Sequence, residues 1–314
     1  MKKILVAGGA GFIGAHLCRK LLEKKIFVYC LDNLSSGLMN NIKPLINDRS
    51  FSFLKHDVTK PIKLDIDEIY NLACPASPAF YQEMPIMTAK SSVIGTLNLL
   101  ELAKNTNARI IQASTSEIYG NALMYPQNEQ YFGNVNPVGL RSCYDEGKRM
   151  AETLCMDYFR KGTTVKIARI FNAYGPGMRA DDGRVVPSFI SKALENKPLV
   201  INGDGNQTRS FMYIDDLIDG LIALMESDDS LVGPINLGNP EEVSIQSLAS
   251  LIIKLTDSKS TISYSKALED DPQKRKPDIT QAIKRLSWKP RVGLLDGLRM
   301  TIPYYLHISQ ENKQ

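Results

Sequence analysis

Short apolar runs alternate with longer segments of helical periodicity along most of the chain. The runs have the length of strands and are rich in Ile, Val and Leu, which is typical of strands buried on both faces. They cover residues 4–7, 27–31, 69–73, 109–113 and 165–170. The helical segments cover residues 12–22, 88–104, 144–160, 214–225 and 244–256. Strands separated by helices predict an α/β fold, in which a doubly wound parallel sheet is covered by helices on both faces.

The chain changes character near residue 175, where glycine, proline and polar turns become more frequent. Examples are the turns at 203–205 and 238–240. We expect residues 1–174 to carry most of the sheet and residues 175–314 to form a smaller C-terminal α/β part. No linker-like composition separates the two, so the second part is expected to interleave with the first.

Composition and charge argue against several classes of function. The net charge of the 314 residues is +4 without blocks of like charge, so we expect no nucleic-acid binding. Five cysteines without a CxxC spacing and only three histidines argue against a disulfide framework and against a metal centre. The apolar runs are too short for a secretory signal or a membrane span, so we expect a cytoplasmic protein without a membrane partner.

A glycine-rich turn follows the first predicted strand directly and opens the first predicted helix. Its glycines Gly8, Gly11 and Gly14 allow a tight turn and a close approach of the backbone to a pyrophosphate. Asp32 ends the next strand, where a carboxylate accepts hydrogen bonds from an adenosine ribose and repels a 2′-phosphate. This context predicts a Rossmann-type domain, mainly in 1–174, that binds NAD rather than NADP. A helix-capping turn with a surface aspartate is the structural alternative.

Tyr144 and Lys148 form a YxxxK spacing at the start of a predicted helix. Residues four apart share a helix face, so the ammonium can lie beside the phenol. Together with a nicotinamide cation, this charge is expected to lower the pKa of the tyrosine. The tyrosinate can then take a proton from a substrate hydroxyl as hydride leaves for NAD. A surface Tyr–Lys pair is the alternative.

Hydroxyl and carboxyl groups follow the strand predicted at 109–113. The carboxyl ends of strands are where open α/β sheets bind ligands. Thr115 can hold the reacting oxygen there, and Glu117 offers a second acid or base. Ser or Thr followed by Glu is also a helix-start signal, so helix capping is the alternative for this motif.

These residues lie in a sequence that resembles the extended short-chain dehydrogenases/reductases and, among them, the UDP-glucuronate decarboxylases. The resemblance extends over nearly the whole chain. Its most specific segments are NLACPASP at 71–78, STSE at 114–117, GNVNPVGLRSCYDEGK at 133–148, DDGRVV at 181–186, QTRSF at 207–211 and DDPQKRKPDI at 270–279. Such a set of segments in this order is hard to obtain by chance.

The resemblance implies a reaction in which a UDP-sugar is oxidised at carbon 4 by NAD, with Tyr144 as the base. The resulting 4-keto acid loses carbon dioxide because the electrons flow into the ketone, and return of the hydride gives UDP-xylose. Ser116 and Glu117 are expected near sugar carbon 6, and Arg275 is expected to hold the carboxylate or supply a proton. A solvated position in the charged run 274–276 is the alternative for Arg275. The complete catalytic group is Thr115, Ser116, Glu117, Tyr144, Lys148 and Arg275.

Further residues are expected to bind cofactor and substrate. The cofactor set is Gly8, Gly11, Phe12, Ile13, Gly14, Asp32, Asn33, Gly37, Asp57, Val58, Leu72, Ala73, Tyr144 and Lys148. The substrate set is Pro75, Tyr81, Asn172, Val185, Arg209 and Arg275. By resemblance, Arg209 pairs with the pyrophosphate, whereas Asn172 and Val185 contact sugar and nucleotide.

Three positions depart from the family pattern. Gly177 stands where an arginine usually follows Gly-Pro, and Met87 stands where a lysine usually precedes threonine. Each change removes a cation near the expected position of an anionic substrate. Asn202 stands where a tyrosine often precedes the Gly-x-Gly turn, and its side chain cannot stack on a base.

Nucleotide-sugar 4,6-dehydration and 4-epimerisation are the alternatives to decarboxylation. Dehydratases of this group usually have Asp before the Glu to protonate the leaving hydroxyl, and Ser116 is too weak an acid for that work. An epimerase needs only Tyr144, Lys148 and a substrate that can flip after oxidation. A cofactor-binding protein without turnover is a remote alternative, and the intact Thr115 argues against it.

The predicted helices at 88–104 and 144–160 have more apolar surface than one sheet face needs. In the second of them, apolar residues recur at helical spacing. Core packing accounts for part of this set. Because family members commonly pair these helices in a four-helix bundle, we expect a homodimer.

Overall fold

The computed structural model describes residues 1–266 and 274–311. Its largest sheet has seven strands in the order β11-β6-β5-β4-β1-β2-β3, and every pairing within it is parallel. The described strands are β1 (Lys3–Ala7), β2 (Phe27–Asp32), β3 (Phe51–Lys55), β4 (Glu68–Asn71), β5 (Arg109–Thr115), β6 (Val165–Ile170), β7 (Ala173–Tyr174), β8 (Leu199–Asn202), β9 (Thr208–Ser210), β10 (Met212–Tyr213), β11 (Ile235–Leu237), β12 (Glu242–Ser244), β13 (Ile262–Ser265) and β14 (Lys274–Arg275).

Helices cover both faces of this sheet. They are α1 (Phe12–Glu23), α2 (Met39–Ile42), α3 (Pro78–Glu83), α4 (Pro85–Lys90), α5 (Thr96–Thr106), α6 (Ser142–Arg160), α7 (Val185–Leu194), α8 (Ile214–Glu226), α9 (Ile245–Leu255), α10 (Thr280–Leu286) and α11 (Leu294–Glu311). Short 3₁₀ turns lie at Lys43–Leu45 and Ser116–Tyr119. None of the helices in the described part of the chain is long and apolar enough to cross a membrane.

Each sheet face packs on its own hydrophobic core. In β5 the neighbouring residues Ile110 and Ile111 belong to different cores, because side chains alternate between the faces of a strand. One core includes Leu17 of α1 and Leu217 of α8, and the other includes Leu99 of α5. The predicted doubly wound parallel sheet is therefore confirmed.

Two strands of the sheet escaped prediction from the sequence. The edge strand β3 is only partly buried and has no continuous apolar run, and β11 has three residues. The predicted strand at 69–73 ends earlier, at Asn71.

The segment predicted as one helix at 88–104 is not a regular α-helix. A wide π-type turn at Ser91–Gly95 joins α4 to α5, and Asn107 caps the end of α5 in the left-handed conformation. In this turn Ser92 packs closely on α6, because a Cβ at Gly147 would lie 2.9 Å from the Ser92 Cβ. Apolar periodicity does not report a turn widened in this way.

The part of the chain after residue 175 contributes to the large sheet as well as forming small sheets of its own. Strand β11 pairs with β6 at one edge, and α8 packs on the core beneath it. The small sheets are β12-β9-β14 and β13-β8. The division into 1–174 and 175–314 stays a prediction.

Candidate active site

A cleft of about 700 Å³ lies at the carboxyl edge of the parallel strands, between the sheet and the part of the chain after residue 175. It brings together most of the residues singled out from the sequence. Those that line it are Gly8, Gly11, Phe12, Ile13, Gly14, Leu72, Tyr81, Thr115, Ser116, Glu117, Tyr144, Lys148, Asn172, Val185, Arg209 and Arg275. Their individual roles stay predictions, but their common location is a property of the fold.

The other predicted site residues lie near the cleft without lining it. Asp57 forms a turn, since its Oδ1 accepts from the Thr59 backbone N–H at 2.9 Å, and Val58 is buried against Gly95. The Ala73 N–H points at Asn71 Oδ1, 3.3 Å away. The residues of this second group are Asp32, Asn33, Gly37, Asp57, Val58, Ala73 and Pro75.

The glycine turn leaves no space for side chains at two of its positions. Gly8 has a φ of +79°, and a Cβ there would lie 2.8 Å from the Leu72 backbone. A Cβ at Gly14 would lie 2.2 Å from the Gly8 carbonyl oxygen. Helix α1 begins at Phe12, so its first N–H groups face the cleft as a site for phosphate oxygens. This bare backbone cradle fits a dinucleotide pyrophosphate.

Asp32 is anchored at the carboxyl end of β2. Its carboxylate accepts from the backbone N–H groups of Ala10 at 3.0 Å and Leu34 at 2.8 Å. Burial raises the pKa of Asp32, and these two hydrogen bonds act in the opposite direction. A Cβ at Gly37 would lie 2.9 Å from both carboxylate oxygens, so a glycine is needed beside it. The aspartate is thus a fixed group rather than a surface residue.

Tyr144 and Lys148 are both buried at the start of α6. The Lys148 Nζ donates to the Ala113 carbonyl at 2.8 Å and lies 5.8 Å from the centre of the Tyr144 ring. The Tyr81 ring stacks on Tyr144 with centres 5.2 Å apart and planes 6° from parallel. This packing fixes the direction of the phenol, and the alternative of a surface Tyr–Lys pair is wrong.

In the protein without cofactor, burial has the largest effect on the pKa of Tyr144. It raises the pKa of Tyr144, and the hydrogen bond with Thr115 opposes that effect. The sequence-based expectation of a lowered pKa therefore does not hold for the protein without cofactor, because removing a phenolate from water outweighs the nearby ammonium.

Thr115 forms the cap that is the structural alternative for its motif, and its role toward the reacting oxygen stays a prediction. Its Oγ1 accepts from the Glu117 N–H at 3.2 Å and caps the 3₁₀ turn Ser116–Tyr119. The same hydroxyl hydrogen-bonds to Tyr144. The cap therefore holds the hydroxyl next to the phenol.

Glu117 is clamped between two arginines. Arg275 reaches it from β14 with Nη1 2.6 Å from Oε1 and Nη2 2.9 Å from Oε2, and Arg141 binds Oε2 from the other side. Arg275 is only 8% exposed, so the alternative of a solvated charge run is wrong for this residue. Residues 270–273 of the family-like segment 270–279 lie outside the described residues.

Arg141 and Asp145 belong to the site but were not singled out from the sequence. Asp145 is buried on α6, with Oδ2 3.7 Å from the Arg141 Nε. Burial raises the pKa of Asp145 to about 7, with a further contribution from the nearby Glu117 carboxylate. Both residues lie in the family-like segment 133–148, shortly before and directly after Tyr144, and that proximity was the available signal.

The positions that depart from the family pattern differ in their surroundings. Gly177 and Asn202 line the cleft, and Asn202 accepts from the Ser265 hydroxyl at 2.7 Å. Arg179 also lines it, pairs with Asp181 and lies 4.8 Å from the centre of the Phe80 ring. Position 177 lacks the arginine of the family pattern, but the cationic side chain of Arg179 follows two residues later and lines the same cleft.

Comparison with known proteins assigns the family. Residues 4–238 match the model of the NAD dependent epimerase/dehydratase family. The chain belongs to this family. The predicted Rossmann-type fold and NAD cofactor are thereby confirmed.

Two proteins with similar sequences are UDP-glucuronic acid decarboxylases. The chain is 52% identical over 298 residues to UDP-glucuronic acid decarboxylase 5 of Arabidopsis thaliana, covering 94% of this chain and 87% of the relative. It is 49% identical over 305 residues to UDP-glucuronic acid decarboxylase 1 of Xenopus tropicalis, covering 97% and 72%. Among solved structures, the UDP-glucuronic acid 4-epimerase of Bacillus cereus, in complex with UDP-glucuronic acid and NAD, is similar with a TM-score of 0.88 and 32% identity, covering 98% and 99%.

The glycine turn makes a direct prediction about cofactor binding. In Gly14→Ala the new methyl must displace the Gly8 carbonyl, so we expect NAD affinity to fall about a hundredfold or more, or about 3 kcal/mol. Gly293→Ala is the matched control, because among the described residues nothing beyond its two chain neighbours lies within 4 Å of its Cβ position. Calorimetric titration with NAD measures both, with circular dichroism to verify folding. Wild-type affinity in a folded Gly14→Ala variant would show that this turn does not hold the pyrophosphate.

Proposed function

We propose that this protein is an NAD-dependent UDP-glucuronate decarboxylase, which oxidises the sugar at carbon 4, releases carbon dioxide and reduces the product to UDP-xylose. The observation that carries the proposal is the position of Arg275 and Glu117 beside Tyr144. Oxidation needs only the tyrosine and its neighbours, whereas a buried guanidinium suits the carboxylate of a uronic acid. The names of the relatives that are about half identical to this chain support the same substrate.

The glycine turn and Asp32 would hold the cofactor. The N–H groups at the start of α1 receive the pyrophosphate, and the Asp32 carboxylate accepts from the adenosine ribose. Held there, NAD would supply the hydride acceptor for the oxidation at sugar carbon 4 and the hydride donor for the later reduction. Leu72 also lines the cleft, and Asn33, Gly37, Asp57, Val58 and Ala73 follow the ends of β2, β3 and β4 along the chain.

The first step belongs to Tyr144, Lys148 and Thr115. The Thr115 hydroxyl orients the carbon 4 hydroxyl of the sugar toward the phenol, with which it shares a hydrogen bond. The Lys148 ammonium, held by the Ala113 carbonyl, and the positive charge of the bound nicotinamide would together lower the pKa of Tyr144 from its raised value in the protein alone. The resulting phenolate takes the hydroxyl proton. Tyr81 keeps the phenol in place by stacking.

The second step breaks the bond between carbon 5 and carbon 6. Arg275 binds the substrate carboxylate, with Glu117 and Ser116 on the same side of the cleft. The electron pair of the broken bond moves toward the new ketone at carbon 4, and the resulting enolate takes a proton at carbon 5. Arg209 is the register partner of Arg275 in the β9–β14 pair and binds the pyrophosphate. Asn172 and Val185 line the cleft and contact sugar and nucleotide.

Epimerisation at carbon 4 is the second candidate, because the Bacillus cereus neighbour is an epimerase with UDP-glucuronic acid in its structure. The same oxidation serves both reactions. Dehydration is less well supported, since the residue before Glu117 is the buried hydroxyl Ser116 rather than a carboxylic acid.

The reaction itself is the direct test. The protein incubated with NAD and UDP-glucuronate should convert it to a product lighter by one carbon dioxide, followed by mass spectrometry. Tyr144→Phe should lower the rate about a hundredfold or more, because the proton acceptor is lost. An unchanged mass with an inverted carbon 4 would assign the epimerase instead. Loss of water from a UDP-, dTDP- or GDP-hexose, with UDP-glucuronate left intact, would assign the dehydratase.

We also propose a homodimer formed through α5 and α6. Most apolar residues of α6 pack on the core, but Met150 is 44% exposed, and Leu97 of α5 and Ile94 before it are 38% and 39% exposed. Exposed apolar side chains on neighbouring helices favour association with a second copy. The five free thiols suit a reducing compartment, so we further propose a cytoplasmic location.

The dimer can be disrupted at its proposed centre. Leu97→Glu combined with Met150→Glu should give a monomer, because two charges would be buried without partners. Leu306→Glu is the matched control, since Leu306 is similarly exposed (43%) but lies on α11. Light scattering at micromolar concentration distinguishes the monomer expected for the double variant from the dimer expected for the control. A wild-type monomer, or a dimer that survives the double substitution, would contradict this interface.

A further inference from the structure

Four charged groups at and behind the wall of the cleft form one cluster with two groups of each sign. Two carboxylates, Glu117 and Asp145, face two guanidiniums, Arg141 and Arg275. Arg141 bridges the carboxylates, whereas Arg275 contacts Glu117 with both of its terminal nitrogens. Asp145 lies behind this cluster, and it does not line the cleft itself.

Asp145 is the least satisfied member of the cluster. Its Oδ2 lies 3.7 Å from the Arg141 Nε, and its Oδ1 is buried without a hydrogen-bond partner among the described residues. The Tyr81 hydroxyl is also buried without a partner in the described part of the chain. A buried carboxylate with an unpaired oxygen is costly as an anion and takes up a proton readily.

Substrate binding changes the charge balance of this cluster. A uronic acid adds a third carboxylate and competes with Glu117 for Arg275. Three carboxylates then share two guanidiniums. The excess negative charge is removed most simply by one proton from solvent.

Decarboxylation consumes one proton for each molecule of carbon dioxide released. The bond between carbons 5 and 6 breaks, its electron pair forms the enolate, and carbon 5 gains a proton that the hydride transfers do not provide. The proton that Tyr144 takes from the carbon 4 hydroxyl returns there on reduction. A separate source is therefore needed inside the cleft.

We propose that Asp145 takes up a proton when the substrate carboxylate binds and passes it, through Glu117, to sugar carbon 5 after carbon dioxide leaves. This inference rests on the proposed function. Asp145 acts through Glu117 and is a positioning and proton-holding residue, since it has no contact with the cleft. Substrate binding thus causes Asp145 to bind the proton that the reaction later consumes.

The surroundings of Asp145 set the pH range of this uptake. The titratable and charged groups facing it are Cys143, Tyr144 and Glu146 on α6, Glu117 of the 3₁₀ turn, Tyr81 of α3, Arg141 and Arg275. The pKa of Asp145 is raised to about 7, mainly by burial. The free protein is therefore already protonated there well below pH 7, and uptake on binding should appear above it.

Proton uptake can be measured without turnover. Tyr144→Phe with NAD is titrated calorimetrically with UDP-glucuronate in buffers of different ionisation enthalpy, which gives the protons bound per site. We expect uptake to rise from near zero at about pH 6 toward one at about pH 8. UDP-glucose, which has no carboxylate, should give almost none at either pH.

Substitution of Asp145 identifies the group that takes up the proton. Asp145→Asn in the Tyr144→Phe background should abolish the uptake and change the affinity only severalfold, because the amide keeps the shape and has no acidic proton. Glu146→Gln in the same background is the matched control, since Glu146 is the next residue of α6 and is partly exposed, so uptake should persist.

Each contrary result has a distinct meaning. Binding of UDP-glucuronate without proton uptake, uptake that persists in Asp145→Asn, or equal uptake with UDP-glucose would each overturn the inference alone. If UDP-glucuronate does not bind and the wild-type protein releases no carbon dioxide from it, the proposed function is wrong. The inference, which rests on that function, is then wrong as well.

Discussion

The parallel pairing of the seven strands places every carboxyl end at one edge of the sheet, and the candidate active site depends on that constraint. Gly8 follows β1, Asp32 ends β2 and Thr115 ends β5, so distant segments of the chain meet there. Both faces of the sheet are buried, so the positions of these residues are set by core packing. A site on such rigid elements keeps its geometry without support from flexible loops.

Charge compensation is the second constraint, and it joins the two parts of the chain. Glu117 and Arg275 are 158 residues apart, and their ion pair lies where the part after residue 175 meets the sheet. An unpaired charge at this depth would be costly, so each member of the pair stabilises the other. A further carboxylate that entered the cleft would compete with Glu117 for Arg275. A substrate with a carboxylate can therefore rearrange the cluster, whereas a neutral sugar cannot. In the proposed mechanism, the oxidation at carbon 4 is shared across reaction types, and the charged cluster directs the fate of the ketone that it produces.

Local motifs could be predicted from the sequence because their geometry follows from residue types at fixed spacing. The glycine turn, Asp32 and the Tyr144–Lys148 pair belong to this class. The clamp on Glu117 is a long-range contact, so Arg275 was found only through resemblance. The sequence also does not show which side chains are buried. The raised pKa values of Tyr144 and Asp145 depend on desolvation by residues far away in the chain. Short or partly exposed strands such as β3 and β11 lack the continuous apolar run that identified the others.

In the proposed mechanism, Tyr144 and Lys148 handle the proton in the oxidation at carbon 4, and Arg275 with Glu117 directs the product toward loss of carbon dioxide. Arg275→Ala tests it most directly, with UDP-glucuronate and NAD in a single turnover. Nicotinamide reduction, followed by absorbance, should proceed near the wild-type rate, while carbon dioxide release falls about a hundredfold because the carboxylate has lost its partner. Carbon dioxide release at the wild-type rate, or loss of both signals together, would contradict the account.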